Sequence, residues 1–436
     1  MFDDNTAAWL DGAPPDTPAP ALAKDLEVDI AIIGGGFTGV SAAYHLSRRN
    51  PKLGIALLEA KQLANGASGR NGGLILNGIT VKDQDPDLLA REHAITRAAI
   101  DEIEAIIREH SLDVRFARTG CLHVSTSPEA ADHAEAHCAE LVKRGLPLQF
   151  LRGKALAAKV KLQYGHGAIF DPTEGMIAGV DLIRALRPVL VAQGVQIFES
   201  THVTKIREGA TIELTTPRGT VRAKSIVLAT SGYTPRLGYF KRGLLPVISH
   251  VIATEPVPPD LLAKLGLTNV AGFFDDSPRL AYCCVTPDRR VLFGGGSTAA
   301  YGYRFNNATT CETSIEDAGA RALHRSLLQF LPELGDVKLG RRWSGPLDLT
   351  LVRHCAIGVM GRNDNIYYGV GYSGHGITLA NLAGRVIADL HAGDHDRWKD
   401  VAFYQRRPSG IPPEPLRWLG YHLYTKLTGK SPWKRV

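Results

Sequence analysis

The chain has 436 residues, 44% of them hydrophobic, and a formal net charge of +6. That length and apolar content support a large buried core and, as a first expectation, two domains. Arg417, Lys426, Lys430, Lys434 and Arg435 fall within residues 416–436, which hold no acid, so the other 415 residues are close to neutral and argue against a broad nucleic-acid-binding surface.

No apolar run reaches the roughly 18 residues of a membrane span, and the acidic start does not read as a secretory leader. The six cysteines at 121, 138, 283, 284, 311 and 355 form no C-x-x-C pair and no spacing that suggests metal ligands. Reduced thiols in the cytoplasm are the expectation.

Residues 1–26, rich in Pro, Ala and Asp, read as an arm lying on the surface. The β-branched run 28–33 predicts a buried parallel strand. It leads into Gly34-Gly-Gly-Phe-Thr-Gly39, then helical spacing over 40–49 and a second strand over 54–59. Residues 85–110 and 127–145 predict helices, and 180–193 a further amphipathic one. Strands follow at 195–199, 204–206, 211–215, 224–229, 247–254 and 291–294. Near the end, strand 365–370 meets the turn Gly371-Tyr-Ser-Gly-His-Gly376 and a helix over 377–391.

Gly34-x-Gly36-x-x-Gly39 between strand and helix is a dinucleotide fingerprint. Its glycines permit a tight turn, close approach to a pyrophosphate, and helix–strand packing, and the helix N-terminus offers free N–H groups. Glu59, twenty residues after Gly39 at the end of the second strand, is placed for a ribose hydroxyl. Further glycine-rich elements at 66–73, 229–232 and 371–376 suit a cofactor longer than NAD that reaches across the domain.

On Ile32-Ile-Gly-Gly-Gly-Phe-Thr-Gly39, Leu58-Glu59, Ala67-Ser-Gly-Arg-Asn-Gly-Gly73, Asp288-Arg-Arg-Val-Leu-Phe-Gly-Gly295 and Gly371–Gly376, the chain resembles the D-amino-acid-oxidase-type family of FAD enzymes, in its gamma-glutamylputrescine-oxidase-like branch. The resemblance implies an α/β fold: a Rossmann-like FAD-binding domain (27–84, 160–235 and 340–415), a discontinuous α+β substrate domain on an antiparallel sheet (85–159 and 236–339), and a basic amphipathic tail (416–436). It implies that Gly34, Gly36, Phe37, Thr38, Gly39, Glu59 and Ala60 hold the ADP half of FAD, with Val203 near the adenine. Ser68, Arg70, Asn71, Gly72 and Gly73 would line the pyrophosphate and ring edge, Thr230 and Gly232 would flank the cofactor, and Gly374, His375, Gly376 and Thr378 would meet the pyrimidine. A helix N-terminus there would stabilise the negative charge of reduced flavin. His375 has a second reading, as a helix-capping residue.

Loop 64–80 has no Cys or His for covalent attachment, and Gly345 stands where relatives carry an attachment cysteine, so non-covalent FAD is expected. The implied chemistry is hydride transfer from the α-carbon of a small-molecule amine or amino acid to flavin, imine hydrolysis, and reoxidation by O2 to H2O2. His375, His250, Tyr282 and Arg353 are the candidate catalytic residues, with Trp343 also expected at the pocket. Tyr282-Cys283-Cys284 replaces the Tyr-Tyr-Arg of relatives, and Val352-Arg353-His354-Cys355 their Asp-Arg-x-Pro, which puts recognition of a substrate carboxylate in question. Cys283 and Cys284, as strand neighbours, should pack on opposite faces. Two alternatives remain: a dehydrogenase of the same fold serving a quinone or carrier protein, and a tRNA-modifying flavoprotein. The tail repeats leucine at 416, 419, 423 and 427, a pattern that suits docking on the FAD domain or peripheral contact with an anionic membrane.

Overall fold

The computed structural model describes residues 5–79, 85–277, 279–308 and 315–428. The first four residues of the arm, Cys311, and the tail residues Lys430, Trp433, Lys434 and Arg435 lie outside them. Among the described residues, strands gather into two large sheets and a small one.

The first sheet is centred on Leu26–Ile33, whose second half, residues 30–33, is apolar and fully buried. It pairs in parallel with Ile55–Leu58 on one side and Gly219–Leu228 on the other, Ile30 lying opposite Ile55 and Ser225. Gln196–Phe198 extends the parallel run beyond Ile55–Leu58. Ile366–Val370 joins the far end of Gly219–Leu228, also in parallel. Residues buried on both strand faces follow, because helices cover the sheet. Helices Phe37–Arg49 and Gly376–His391 pack directly on one another, and at their contact Gly384 has no room for a Cβ, which would lie 2.4 Å from Ala42 N.

The second sheet is almost wholly antiparallel. Leu339–Leu349 pairs with Leu245–Thr254 along its length, followed in order by Val291–Gly294, Tyr282–Val285 and Gly272–Asp275. Cys121–Ser125 then adds in parallel, and Gly167–Asp171 and Gln149–Leu151 complete it. Helix Asp317–Phe330 packs against this sheet, with Phe330 beside Phe273 and Phe293. Cys283 and Cys284 fall in different hydrophobic clusters, on opposite faces of their strand, as the two-residue period requires. The small sheet joins Leu74–Ile75 and Phe116–Ala117 to either side of Gly175–Ile177, both antiparallel.

The α/β architecture follows the sequence expectation, with two differences in detail. Gly167–Asp171, and Leu339–Leu349 from residue 340 on, lie in ranges assigned to the cofactor half, yet both strands pair within the antiparallel sheet. Strand partners are long-range choices, and a short apolar run carries no label for the sheet it joins.

The arm lies on the surface over most of residues 10–26, but it is anchored by buried residues. Trp9 is fully buried in one core cluster with Ala7 and Ala8, and Leu22 is buried in another. Asp11 pairs with Arg341 at 2.8 Å, and Arg187 binds both Asp16 and Glu199. Polar composition concealed this because the anchoring partners sit more than a hundred residues away. No helix among the described residues is long and apolar enough to cross a membrane.

Candidate active site

A cavity of about 730 Å³ runs between the two large sheets. It begins where Leu26–Ile33 ends. Gly34 turns the chain with φ +110°, and a Cβ there would lie 2.5 Å from the Ala229 carbonyl oxygen. Both constraints demand glycine. Gly39 is held as closely, its Cβ position 1.9 Å from Gly34 O, so it packs helix on strand without reaching the cavity. Phe37 N donates to Ser68 Oγ at 3.0 Å, which joins the first turn of the helix to the 66–73 loop. Glu59 accepts from Gly35 N at 2.7 Å and Lys61 N at 2.9 Å, and burial raises its carboxyl above the ordinary range.

The loop Gly66–Gly73 is gripped from behind. Two indole N–H groups hold consecutive carbonyls: Trp343 Nε1 donates to Arg70 O at 2.9 Å and Trp9 Nε1 to Asn71 O at 2.8 Å. The Arg70 guanidinium donates to the carbonyls of Asn65, Asn5 and Ser344, and so braces the loop. Asn71 folds back on its own turn, donating to Ser68 O and accepting from Gly73 N. Gly72 and Gly73 are squeezed between rings. A Cβ on Gly72 would meet Tyr282 at 2.4 Å, and one on Gly73 would meet Trp9 at 2.4 Å and Cys284 Sγ at 3.1 Å. The loop therefore turns backbone, not long side chains, toward the cavity.

At the other end, Gly374, His375 and Gly376 bring the N-terminus of helix Gly376–His391 to the cavity. The His375 side chain does not cap this helix. Tyr372 Oη lies 2.6 Å from Thr38 Oγ1 and ties the two helix starts together. Asp348 accepts from Gly371 N at 2.7 Å, and burial pushes its carboxyl up to about 6.

Of the residues singled out from the sequence, all but Gly39, Gly232, Thr378, His250 and Trp343 line this one cavity. Gly232 backs onto Leu347 O. Thr378 donates to Leu76 O at 2.7 Å and fixes the turn behind the wall. His250 points off the cavity to Ser344 Oγ at 2.6 Å, and burial pulls its imidazole down to about 4, so it is neutral. The wall residue on that strand is its neighbour Ser249.

The antiparallel sheet contributes Ser249, Phe274, Tyr282, Tyr301 and Leu349, and the loop that follows Leu339–Leu349 adds Arg353. Burial pushes the Tyr282 phenol up to about 12, against a lowering hydrogen bond from Ser249. Arg353 is buried with φ +57°, and its Nη2 has no hydrogen-bond partner among the described residues. Burial draws its guanidinium down to about 10, a value at which it is still cationic at neutral pH. Ser249, Phe274, Tyr301 and Asp348 were not found from sequence: single polar or aromatic positions in apolar strands carry no local signal. None of the described cysteines lines the cavity.

Two helix N-termini, a glycine cradle with no side chains to fill it and a carboxylate at the second strand fit an extended dinucleotide with an anionic pyrophosphate. A fold and cavity of this kind define a dinucleotide-dependent oxidoreductase. Residues 29–390 match the family model described as FAD dependent oxidoreductase (DAO), and the chain belongs to that family. FAD is accordingly its cofactor. The chain is 30% identical to the gamma-glutamylputrescine oxidoreductase of Escherichia coli, over 92% of each chain. It is 25% identical to the glycine oxidase of Geobacillus kaustophilus, over 83% of this chain and 92% of the relative. In fold it is similar to the crystal structure of glycine oxidase from G. kaustophilus (TM-score 0.73, 21% identity, 88% of this chain and all of that one). L-proline dehydrogenase from P. horikoshii is also similar (TM-score 0.69, 19% identity, 95% and 100% covered).

Proposed function

We propose that this enzyme oxidises the carbon–nitrogen bond of a small amine that carries an anionic group, such as an amino acid, with FAD bound non-covalently. Arg353 carries this reading: a buried guanidinium facing the cavity with an unpartnered Nη2. A buried arginine left unpaired is costly, and a substrate carboxylate would satisfy it with two parallel hydrogen bonds. The curated relatives named above act on amines by their descriptions, which supports the same class.

When bound, FAD supplies the two-electron acceptor for hydride from the α-carbon and passes the electrons to O2 or another acceptor. The protein's part is placement. Gly34, Gly36 and Glu59 would hold the ADP half, the 68–73 backbone the ring edge, and the helix N-terminus at Gly376 the side of the ring where charge builds up. Arg353 would fix the anionic end of the substrate. Tyr282, protonated at any working pH by virtue of its burial, would orient the substrate by hydrogen bonding and exclude water. The substrate must react as the neutral amine, because a free nitrogen lone pair is what drives hydride departure. The imine then hydrolyses in water. Free buried thiols fit a cytoplasmic enzyme.

The test is anaerobic mixing of the yellow holoenzyme with polyamines, their gamma-glutamyl conjugates, N-methyl amino acids and D-amino acids. Bleaching by one class of anionic amine is expected. Persistence of the yellow colour with every amine would overturn the reading. Oxygen uptake during turnover separates an oxidase from a dehydrogenase that uses another acceptor.

A further inference from the structure

The helix Leu416–Thr428 is docked the wrong way round for a helix that belongs to a core. An amphipathic helix ordinarily buries its apolar stripe. This one buries Arg417 and Tyr421. Arg417 donates to Pro412 O at 2.9 Å, to Asn307 Oδ1 at 2.8 Å and to Lys241 O. Tyr421 packs on Tyr303, ring centroids 5.6 Å apart, beside Val247 and Leu349. Leu416, Leu419, Leu423 and Leu427 recur at spacings of three and four, so they share the opposite face. They are 60%, 54%, 51% and 74% exposed. Lys426 is exposed beside them. Phe305, close to the Arg417 partner Asn307, is also exposed.

We propose that this leucine face lies on the surface of an anionic lipid bilayer. Arg417 and Tyr421 fix the helix to the protein body, so the leucines stand out as a group, ready to enter the boundary between headgroups and acyl chains. Besides the buried Arg417, the sequence from 416 to 436 carries four basic residues and no acid, which complements a layer of lipid phosphates. That same charge disfavours a second copy of the chain as the occupant. Two-fold pairing of this face would bring two acid-free basic segments together, and their repulsion opposes it. The docking is independent of which amine the enzyme oxidises.

The experiment is flotation of the full-length holoenzyme with vesicles of phosphatidylcholine, alone or mixed with phosphatidylglycerol. Binding to the mixed vesicles only is expected. It should fall about tenfold or more in the double variant Leu419→Glu, Leu423→Glu, and also fall in high salt. Because both side chains are exposed, the variant should keep its flavin and its thermal transition. Absence of binding to mixed vesicles, or equal binding by the double variant, would overturn the proposal. A concentration-dependent dimer that the double variant abolishes, without vesicle binding by the parent, would assign the face to a second copy instead.

Discussion

The two walls of the cavity are built from different materials. The cofactor wall presents backbone: glycines at 34, 36, 72, 73 and 374, and the starts of two helices. The opposing wall presents side chains: Ser249, Phe274, Tyr282, Tyr301 and Arg353. A backbone wall leaves marks in the sequence, because glycine is required at fixed offsets. A side-chain wall leaves few, because a strand can carry any residue toward a cavity. Cofactor identity was therefore legible and substrate identity was not.

The sharpest way to break the comparison is to add one methyl group to the backbone wall. Gly34→Ala must accept a positive φ and a contact with Ala229 O at 2.5 Å. Together these should cost about 3 kcal/mol or more. The variant should purify with little or no flavin, read as the ratio of 450 to 280 nm absorbance. On the side-chain wall, Arg353→Ala should keep its flavin and lose substrate. KM for an anionic amine should rise about a hundredfold, as expected for removing one partner of a buried charge pair. Loss of flavin by Arg353→Ala would place the arginine in the cofactor wall.

Asp348 stands where the walls meet. Burial holds its folded-state value near 6, above the ordinary 3.8. Between those two values the folded apoprotein keeps a proton that the unfolded chain has released. Stability should therefore fall as pH rises through that window, and be flat above it, by about 2 to 3 kcal/mol in all. Denaturant titration of the apoprotein at several pH values measures this, and Asp348→Asn should flatten the slope. The smallest expected effect is Trp9→Phe, which keeps the ring but removes the N–H held by Asn71 O. One such bond is worth about 1 kcal/mol, so the dissociation constant of FAD should rise about fivefold. Unchanged affinity would leave Trp9 a packing residue only.

What the sequence could not convey has particular causes. The strand–glycine–helix–strand unit and the turn at 371–376 were legible because each is coded within a few residues. Trp9 was hidden because its partner Asn71 is 62 residues away and it stands in a short Pro-, Ala- and Asp-rich segment with no strand or helix period. That Ser249 and not His250 lines the cavity has no mark in the sequence, because Leu245–Thr254 is buried on both faces and shows no alternation. The strand memberships of Gly167–Asp171 and Leu339–Leu349 are long-range for the same reason.

The most direct test of the account pairs two substrates with two proteins. The rate of anaerobic flavin reduction would be measured with an anionic amine and with its uncharged amide, in the parent enzyme and in Arg353→Ala. The account predicts rapid reduction of the parent by the anionic amine, slow reduction by the amide, and loss of that preference in the flavin-replete variant. Equal rates for both substrates in the parent, or an undiminished preference in the variant, would contradict it.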